Sequence, residues 1–110
     1  MRSAVMAAML VAGLAGHALA QDAQVAKGEA VYTAQKCGLC HSIGDKGNKK
    51  GPLDGVGSRL GAADIRQWMT DAKAMTVKTN ATRKPEMKSY MLPKDDLDAL
   101  VAYMLSLKKK

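Results

Sequence analysis

Two cysteines and a histidine lie close together in the stretch QKCGLCHS, residues 35–42. Cys37 and Cys40 are the two cysteines of the 110-residue chain, and His41 follows directly. Thiols at this spacing form a disulfide, exchange disulfides, bind a metal ion or become attached covalently to a cofactor. The imidazole adds a metal ligand. The rest of the sequence has to discriminate among these chemistries.

The spacing C-x-x-C-H is the attachment signature of c-type haem. Two thiols three residues apart on one turn can each bond to one vinyl group of the porphyrin, and the adjacent imidazole then reaches the iron. A thioredoxin-type dithiol needs a strand-and-helix setting that the sequence does not indicate. A structural zinc site needs four ligands, and a plain disulfide leaves His41 unexplained. The motif therefore favours one covalent haem c.

The first twenty residues have the pattern of a secretory signal peptide. Arg2 gives a positive start, residues 4–16 are uncharged and mostly apolar, and the stretch ends in Ala18-Leu19-Ala20. The apolar stretch is too short to span a membrane comfortably, and no basic stop-transfer cluster follows it. We predict a cleaved signal peptide over residues 1–20 and a domain over residues 21–110, exported to the periplasm without stable membrane insertion.

The predicted mature domain is small and basic. Loss of Arg2 lowers the formal net charge from +7 to +6, and the chain contains no Phe. A domain of this size has a marginal hydrophobic core unless a disulfide, metal or cofactor adds to it. The positive charge favours redox partner proteins with acidic docking surfaces, whereas export argues against nucleic acid. We expect a monomer.

Three segments carry helical patterns, and none carries a convincing strand pattern. The helices are predicted over residues 23–36, with Gly28 inside the first, over residues 63–72, and over residues 93–110. In the last segment the apolar residues recur at helical spacing, at Leu97, Leu100, Val101, Met104 and Leu105. Residues 42–61 and 73–92 are predicted to be long loops, which are unusual in a compact domain unless they are functional or wrap something.

The termini of the last helix carry suitable residues. Pro93 suits its first turn, and Asp95 and Asp96 complement the positive end of the helix dipole. The lysines over residues 108–110 complement the negative end. The sequence therefore predicts an all-α domain that ends in a well-defined helix.

Taken together, these motifs resemble the small monohaem bacterial cytochromes c of class I. The resemblance covers nearly the whole predicted mature part. It rests on GEAVY and CGLCH, on GPLDGVGSR, and on a methionine ahead of LPKDDLDALVAYMLSL. It implies an all-α class I cytochrome c fold, with three to four short helices and long loops wrapped around one covalent haem. In that family the first and last helices cross at a glycine–aromatic contact, for which Gly28 and Tyr103 are the matching positions.

The second axial position of the iron is either open or held by a methionine, which suits haem iron. Met69 and Met104 lie on apolar helical faces and are interpreted as core residues, which leaves Met75, Met87 and Met91 in the second predicted loop. The resemblance points to Met87, with Met91 as the alternative. The predicted metal ligands are therefore His41 and Met87, although Lys88 stands where many family members carry a proline.

The resemblance implies further roles around the haem. The carbonyl of Pro52 is expected to accept the other N–H of the His41 imidazole, the usual task of a group behind a metal ligand. Leu53 is expected to pack on the ring. Arg59 and Trp68 are predicted to bind the haem propionates, with a surface arginine and a core tryptophan as the alternative interpretations.

A haem with two protein ligands has no open position for substrate, so one-electron exchange remains. We therefore expect a soluble electron carrier and not an enzyme. Two basic clusters are predicted to ring the exposed haem edge and to steer acidic partners: Lys46, Lys49 and Lys50, and Arg83, Lys84, Lys88 and Lys94. The alternatives are a ligand-binding or peroxidatic haem protein with an open or labile sixth position, and a haem subunit of a larger redox complex.

Overall fold

The computed structural model describes residues 19–109, so the predicted signal peptide lies outside the described residues apart from its last two. Of helix α1 the structure describes residues 19–34. A 3-10 helix, Cys37–Leu39, and a short antiparallel hairpin of β1 (Ser42–Ile43) and β2 (Lys46–Gly47) follow. The remaining helices are α2 (Val56–Arg59), α3 (Ala62–Thr70), α4 (Ala72–Thr79) and α5 (Lys94–Ser106).

Local chemistry explains where the later helices begin and end. The carboxylate of Asp71 accepts a hydrogen bond from the Ala74 N–H at 3.3 Å at the start of α4, and Asn80 ends this helix with φ of 55°. Pro93 is the N-cap of α5, and Asp95 and Asp96 occupy its first turn. The predicted start of the last helix is therefore confirmed.

The hydrophobic core lies where α5 packs against α2 and α3. Its buried members come from four helices: Val31, Val56, Ile65, Met69, Leu100, Val101 and Met104. Met69 and Met104 are thus core residues, as their helical spacing predicted. Leu97 and Leu105 are half-buried at the margin of the cluster. The apolar stripe of the last helix faces the rest of the domain along most of its length.

Helices α1 and α5 approach each other most closely at Gly28. A Cβ at this position would lie 2.6 Å from the Cβ of Tyr103 and would collide with the carbonyl of Ala99. The rings of Tyr32 and Tyr103 pack edge to face beside the crossing, with centroids 5.8 Å apart and an interplanar angle of 75°. The predicted contact between Gly28 and Tyr103 is confirmed, and it explains the glycine inside a helix.

Three details differ from the predictions. Residues 72–79 form α4, so the loop predicted over residues 73–92 is shorter than expected. Residues 42–61 hold a small hairpin and α2, although no strand was predicted. Helix α5 ends at Ser106, and the Lys108 ammonium donates to the Gly57 carbonyl at 2.9 Å instead of the last turn of α5.

The helical architecture confirms the all-α prediction. Over residues 19–109, no helix is both long enough and apolar enough to cross a membrane.

Candidate functional site

One cavity of about 620 Å³ lies between the attachment motif, helices α3 and α5, and the irregular segment over residues 80–93. Apolar side chains form most of its wall, among them Leu53, Val56, Ile65, Leu100 and Met104. Its volume falls in the range of roughly 300–1,000 Å³ that small-molecule and cofactor sites occupy. A large, flat, apolar group is the kind of ligand that such a wall accommodates.

Both thiols lie at the rim of this cavity. Lys36, two residues after the end of α1, has the left-handed conformation, with φ of 57°, and Cys37 then begins the 3-10 helix of which Cys40 is the C-cap. Cys37 is half-buried, Cys40 is exposed, and both are free. Burial, the largest cause, raises the pKa of the Cys37 thiol. A dithiol redox site needs a lowered thiol pKa, so the environment of Cys37 disfavours that alternative.

His41 presents one ring nitrogen to the cavity. Its Nδ1 lies 3.0 Å from the carbonyl oxygen of Gly51. A carbonyl oxygen only accepts hydrogen bonds, so Nδ1 donates and Nε2 is left as the nitrogen for a metal. Burial, the largest cause, lowers the pKa of His41, which favours the neutral ring that a metal requires.

The acceptor for His41 is Gly51 and not Pro52, which corrects the predicted acceptor by one residue. Ser42 pairs with Pro52 in a parallel bridge: the Ser42 N–H donates to Gly51 O at 3.1 Å, and the Leu53 N–H donates to Ser42 O at 2.8 Å. Successive carbonyls of extended backbone point in opposite directions. The Gly51 carbonyl therefore faces Ser42 and His41, whereas the exposed Pro52 does not line the cavity.

The other predicted haem contacts line the cavity. Leu53 is half-buried in the wall, as is Trp68 on α3. Arg59 also lines it, and its guanidinium donates to the backbone carbonyl of Asp54 at 3.0 Å. The structure brings these three side chains together with the attachment motif. Their contacts with a haem remain predictions.

The methionines of the second predicted loop have different environments. Met87 is half-buried, packs against the core and lines the cavity. Met91 is fully exposed, at 102% relative accessibility, and Met75 is buried on helix α4. Met75 is therefore a core residue, which corrects its assignment to a loop. Of these three methionines, Met87 is the one that shares the cavity with His41.

Tyr32 lines the cavity and also carries a buried hydroxyl. Its hydroxyl is buried and has no hydrogen-bond partner among the described residues, and its ring lines the cavity. An unpartnered buried hydroxyl costs roughly 1–3 kcal/mol. With the two thiols, the neutral imidazole and the apolar wall, the donor set and the shape fit a c-type haem.

Sequence reasoning assigned no site role to Gly51 or Tyr32, and it treated Arg83 only as a surface charge. Arg83 lines the cavity, and its guanidinium lies against Gly51. The signal for Gly51 was its position directly before the proline of the GPL segment. Nothing in the sequence around Tyr32, five residues before Cys37, indicates that it lines the site. The location of Arg83 could not be predicted because it depends on how residues 80–93 fold.

A protein-family model described as Cytochrome c matches residues 25–108, well over half of the chain. No curated protein and no solved structure matches the chain. The matched region begins inside helix α1 and includes the attachment motif and every residue that lines the cavity.

Proposed function

Because the chain belongs to the cytochrome c family, we propose that this haem-binding electron-transfer protein is a soluble periplasmic one-electron carrier with His41 and Met87 as axial ligands of one haem. The family accounts for the covalent c-type haem, and the all-α chain has the class I cytochrome c fold. The observation that carries the proposal is that the C-x-x-C-H motif and a half-buried methionine share one apolar cavity. The signal-peptide pattern supports export.

The chain positions and insulates the haem. Cys37 and Cys40 lie on one short turn at the rim, where each thiol can attach to one vinyl group. His41 is kept neutral by burial and oriented by Gly51, so Nε2 is available to the iron. When bound, the haem supplies one-electron exchange between Fe(III) and Fe(II). The apolar wall excludes water, which limits solvent reorganisation during that exchange.

Met87 makes this a carrier site in our proposal. A thioether fills the sixth position, favours the reduced iron and leaves no place for substrate. Met87 already packs against the core, whereas Met91 points into solvent. The half-burial of Met87 supports it as the ligand over the exposed Met91.

We further propose that the basic rim of the cavity docks acidic redox partners, with the protein acting as a monomer. Four cationic side chains line the cavity: Lys36, Arg59, Arg83 and Lys88. All four are exposed. Exposed charges of one sign around a redox cofactor steer a partner of opposite sign and orient it toward that cofactor.

The ligation is tested by replacing each methionine in the mature haem protein. Met87→Ala is expected to keep the covalent haem, to lose the weak sulfur–iron absorption band, to bind CO when reduced and to have a lower reduction potential. Visible spectra with and without CO, together with a redox titration, measure these effects.

Met91→Ala is the matched control, because the same side chain is removed from an exposed position, and it is expected to behave as the unaltered protein. If the Met91 variant opens the iron and the Met87 variant does not, the ligand assignment is wrong. If the unaltered reduced protein binds CO readily, a ligand-binding or peroxidatic role replaces the carrier.

A further inference from the structure

Arg83 lies against the backbone that orients His41. A Cβ added to Gly51 would lie 2.9 Å from Arg83 Cζ and would also collide with Arg83 Nη1 and the Cys40 carbonyl. The guanidinium therefore occupies the space where a side chain of residue 51 would be. Only a glycine at position 51 lets the guanidinium come this close. The contact brings a positive charge from the segment before Met87 next to the backbone that follows the attachment motif.

The Gly51 carbonyl beside this charge is the acceptor for His41. It receives the His41 Nδ1–H at 3.0 Å and the Ser42 N–H at 3.1 Å. A cation close to a carbonyl draws on the same partial negative charge that accepts the hydrogen bond. Burial is the main cause of the lowered pKa of His41, and the positive charge of Arg83 acts in the same direction.

We propose that Arg83 raises the reduction potential of the haem by placing its positive charge beside the Gly51–His41 hydrogen bond. The charge weakens the acceptor, so the Nδ1 proton stays on the ring and the imidazole donates less electron density to the iron. The same charge disfavours Fe(III), which carries one more positive charge than Fe(II). The inference rests on the proposed ligation by His41 but is independent of the identity of the sixth ligand.

The test compares three variants of the mature haem protein. Arg83→Gln removes the charge, Arg83→Lys keeps it, and Lys78→Gln removes a charge from the exposed face of α4, outside the cavity wall. The midpoint potential is measured by redox titration. We expect a clear decrease for Arg83→Gln, a smaller decrease for Arg83→Lys and no change for Lys78→Gln. The NMR signal of the His41 Nδ1 proton is expected to shift most in Arg83→Gln, less in Arg83→Lys and not at all in Lys78→Gln.

Equal decreases for Arg83→Gln and Lys78→Gln would overturn the proposal, because they would reflect net charge and not this contact. Equal decreases for the two Arg83 variants would refute a role of the charge. A lower potential with an unmoved Nδ1 signal would show that Arg83 acts elsewhere on the haem. Failure of His41 ligation is distinguishable, since the His41 ring protons of the unaltered protein would then lack the large NMR shifts that bonding to haem iron causes.

Discussion

The ring of Tyr32 stabilises the fold, whereas its buried hydroxyl destabilises it. Its ring packs edge to face against Tyr103 and so joins α1 to α5. Its hydroxyl is buried, with no hydrogen-bond partner among the described residues. Burial is the largest cause that raises the pKa of Tyr32 to about 12, and the charges of Cys37, Tyr103 and Asp54 add to it.

Tyr32→Phe is expected to reduce the loss of stability at alkaline pH. An unfolded tyrosine ionises near pH 10, whereas Tyr32 in the folded protein ionises at about 12. Between these values the unfolded chain releases its proton first, so the stability that Tyr32 contributes below pH 10 is lost as the pH rises toward 12. Chemical denaturation of both proteins, below and within this window, measures the effect. Identical alkaline losses would contradict it.

The crossing of α1 and α5 fixes the frame around the cavity. Gly28 allows the helix backbones to touch, and Val31, one turn later on α1, enters the core. The ion pair between Arg66 Nη2 and the carboxylate of Asp98, at 2.7 Å, joins α3 to α5, and Lys94 Nζ, on α5 itself, lies 2.8 Å from the same carboxylate. Ion pairs that remain partly exposed, such as these, contribute little to stability.

Gly28→Ala is expected to destabilise the protein despite the better helix propensity of alanine. The propensity gain is at most about 1 kcal/mol, whereas forcing a methyl group into a packed contact typically costs about 1–3 kcal/mol. The neighbour that must move is the Ala99 carbonyl, which belongs to the backbone of α5. Thermal or chemical denaturation of the haem protein measures the difference.

Gly61→Ala is the control for that variant. A Cβ at Gly61 would meet nothing within 4 Å, so the substitution creates no clash and is expected to cost only about 0.5–1 kcal/mol, because alanine is a poorer N-cap than glycine. A Gly28→Ala protein as stable as the Gly61→Ala protein would show that the two helices adjust freely.

The long helix and the attachment turn could be predicted because their signals are local. Apolar spacing predicts α5, and the motif alone identifies Cys37, Cys40 and His41. Helix α4 lacks such a signal: Ala72 and Met75 are buried, but Val77 is exposed at 72% relative accessibility, so its apolar residues do not form one face. The acceptor for His41 depends on which carbonyl an irregular loop turns inward. Tertiary contacts determine which backbone carbonyl faces the His41 ring.

The cavity is large for so small a domain. Cavities cost about 24 cal/mol per Å³ when enclosed, so about 620 Å³ would cost on the order of 15 kcal/mol. Its open mouth makes that an upper bound. Typical domains have a total stability of about 5–15 kcal/mol. We therefore expect the bound group to contribute to the stability of the whole molecule.

The mature chain made without haem attachment is expected to lack a cooperative unfolding transition. Its cavity wall would be exposed to water, and the remaining core is small. Calorimetry and circular dichroism of the haem-free and haem-containing forms of the same sequence give the comparison. Cys37→Ser combined with Cys40→Ser should reproduce the haem-free behaviour. A haem-free chain that melts cooperatively near the temperature of the haem protein would disprove this expectation.

On the His41 side of the site the stabilising contact is local in the chain, whereas the Met87 side belongs to a segment far along the chain from the attachment motif. His41 and Gly51 are ten residues apart, whereas Met87 belongs to the irregular segment that follows α4. Short-range contacts lose less chain entropy on closure than distant ones, and segments without regular structure open at lower free energy. We therefore expect residues 80–93 to open more readily than the turn that carries His41. In the proposed ligation, the cofactor is retained by the part of the site that is local in the chain, and access to the iron is controlled by the part that opens more readily.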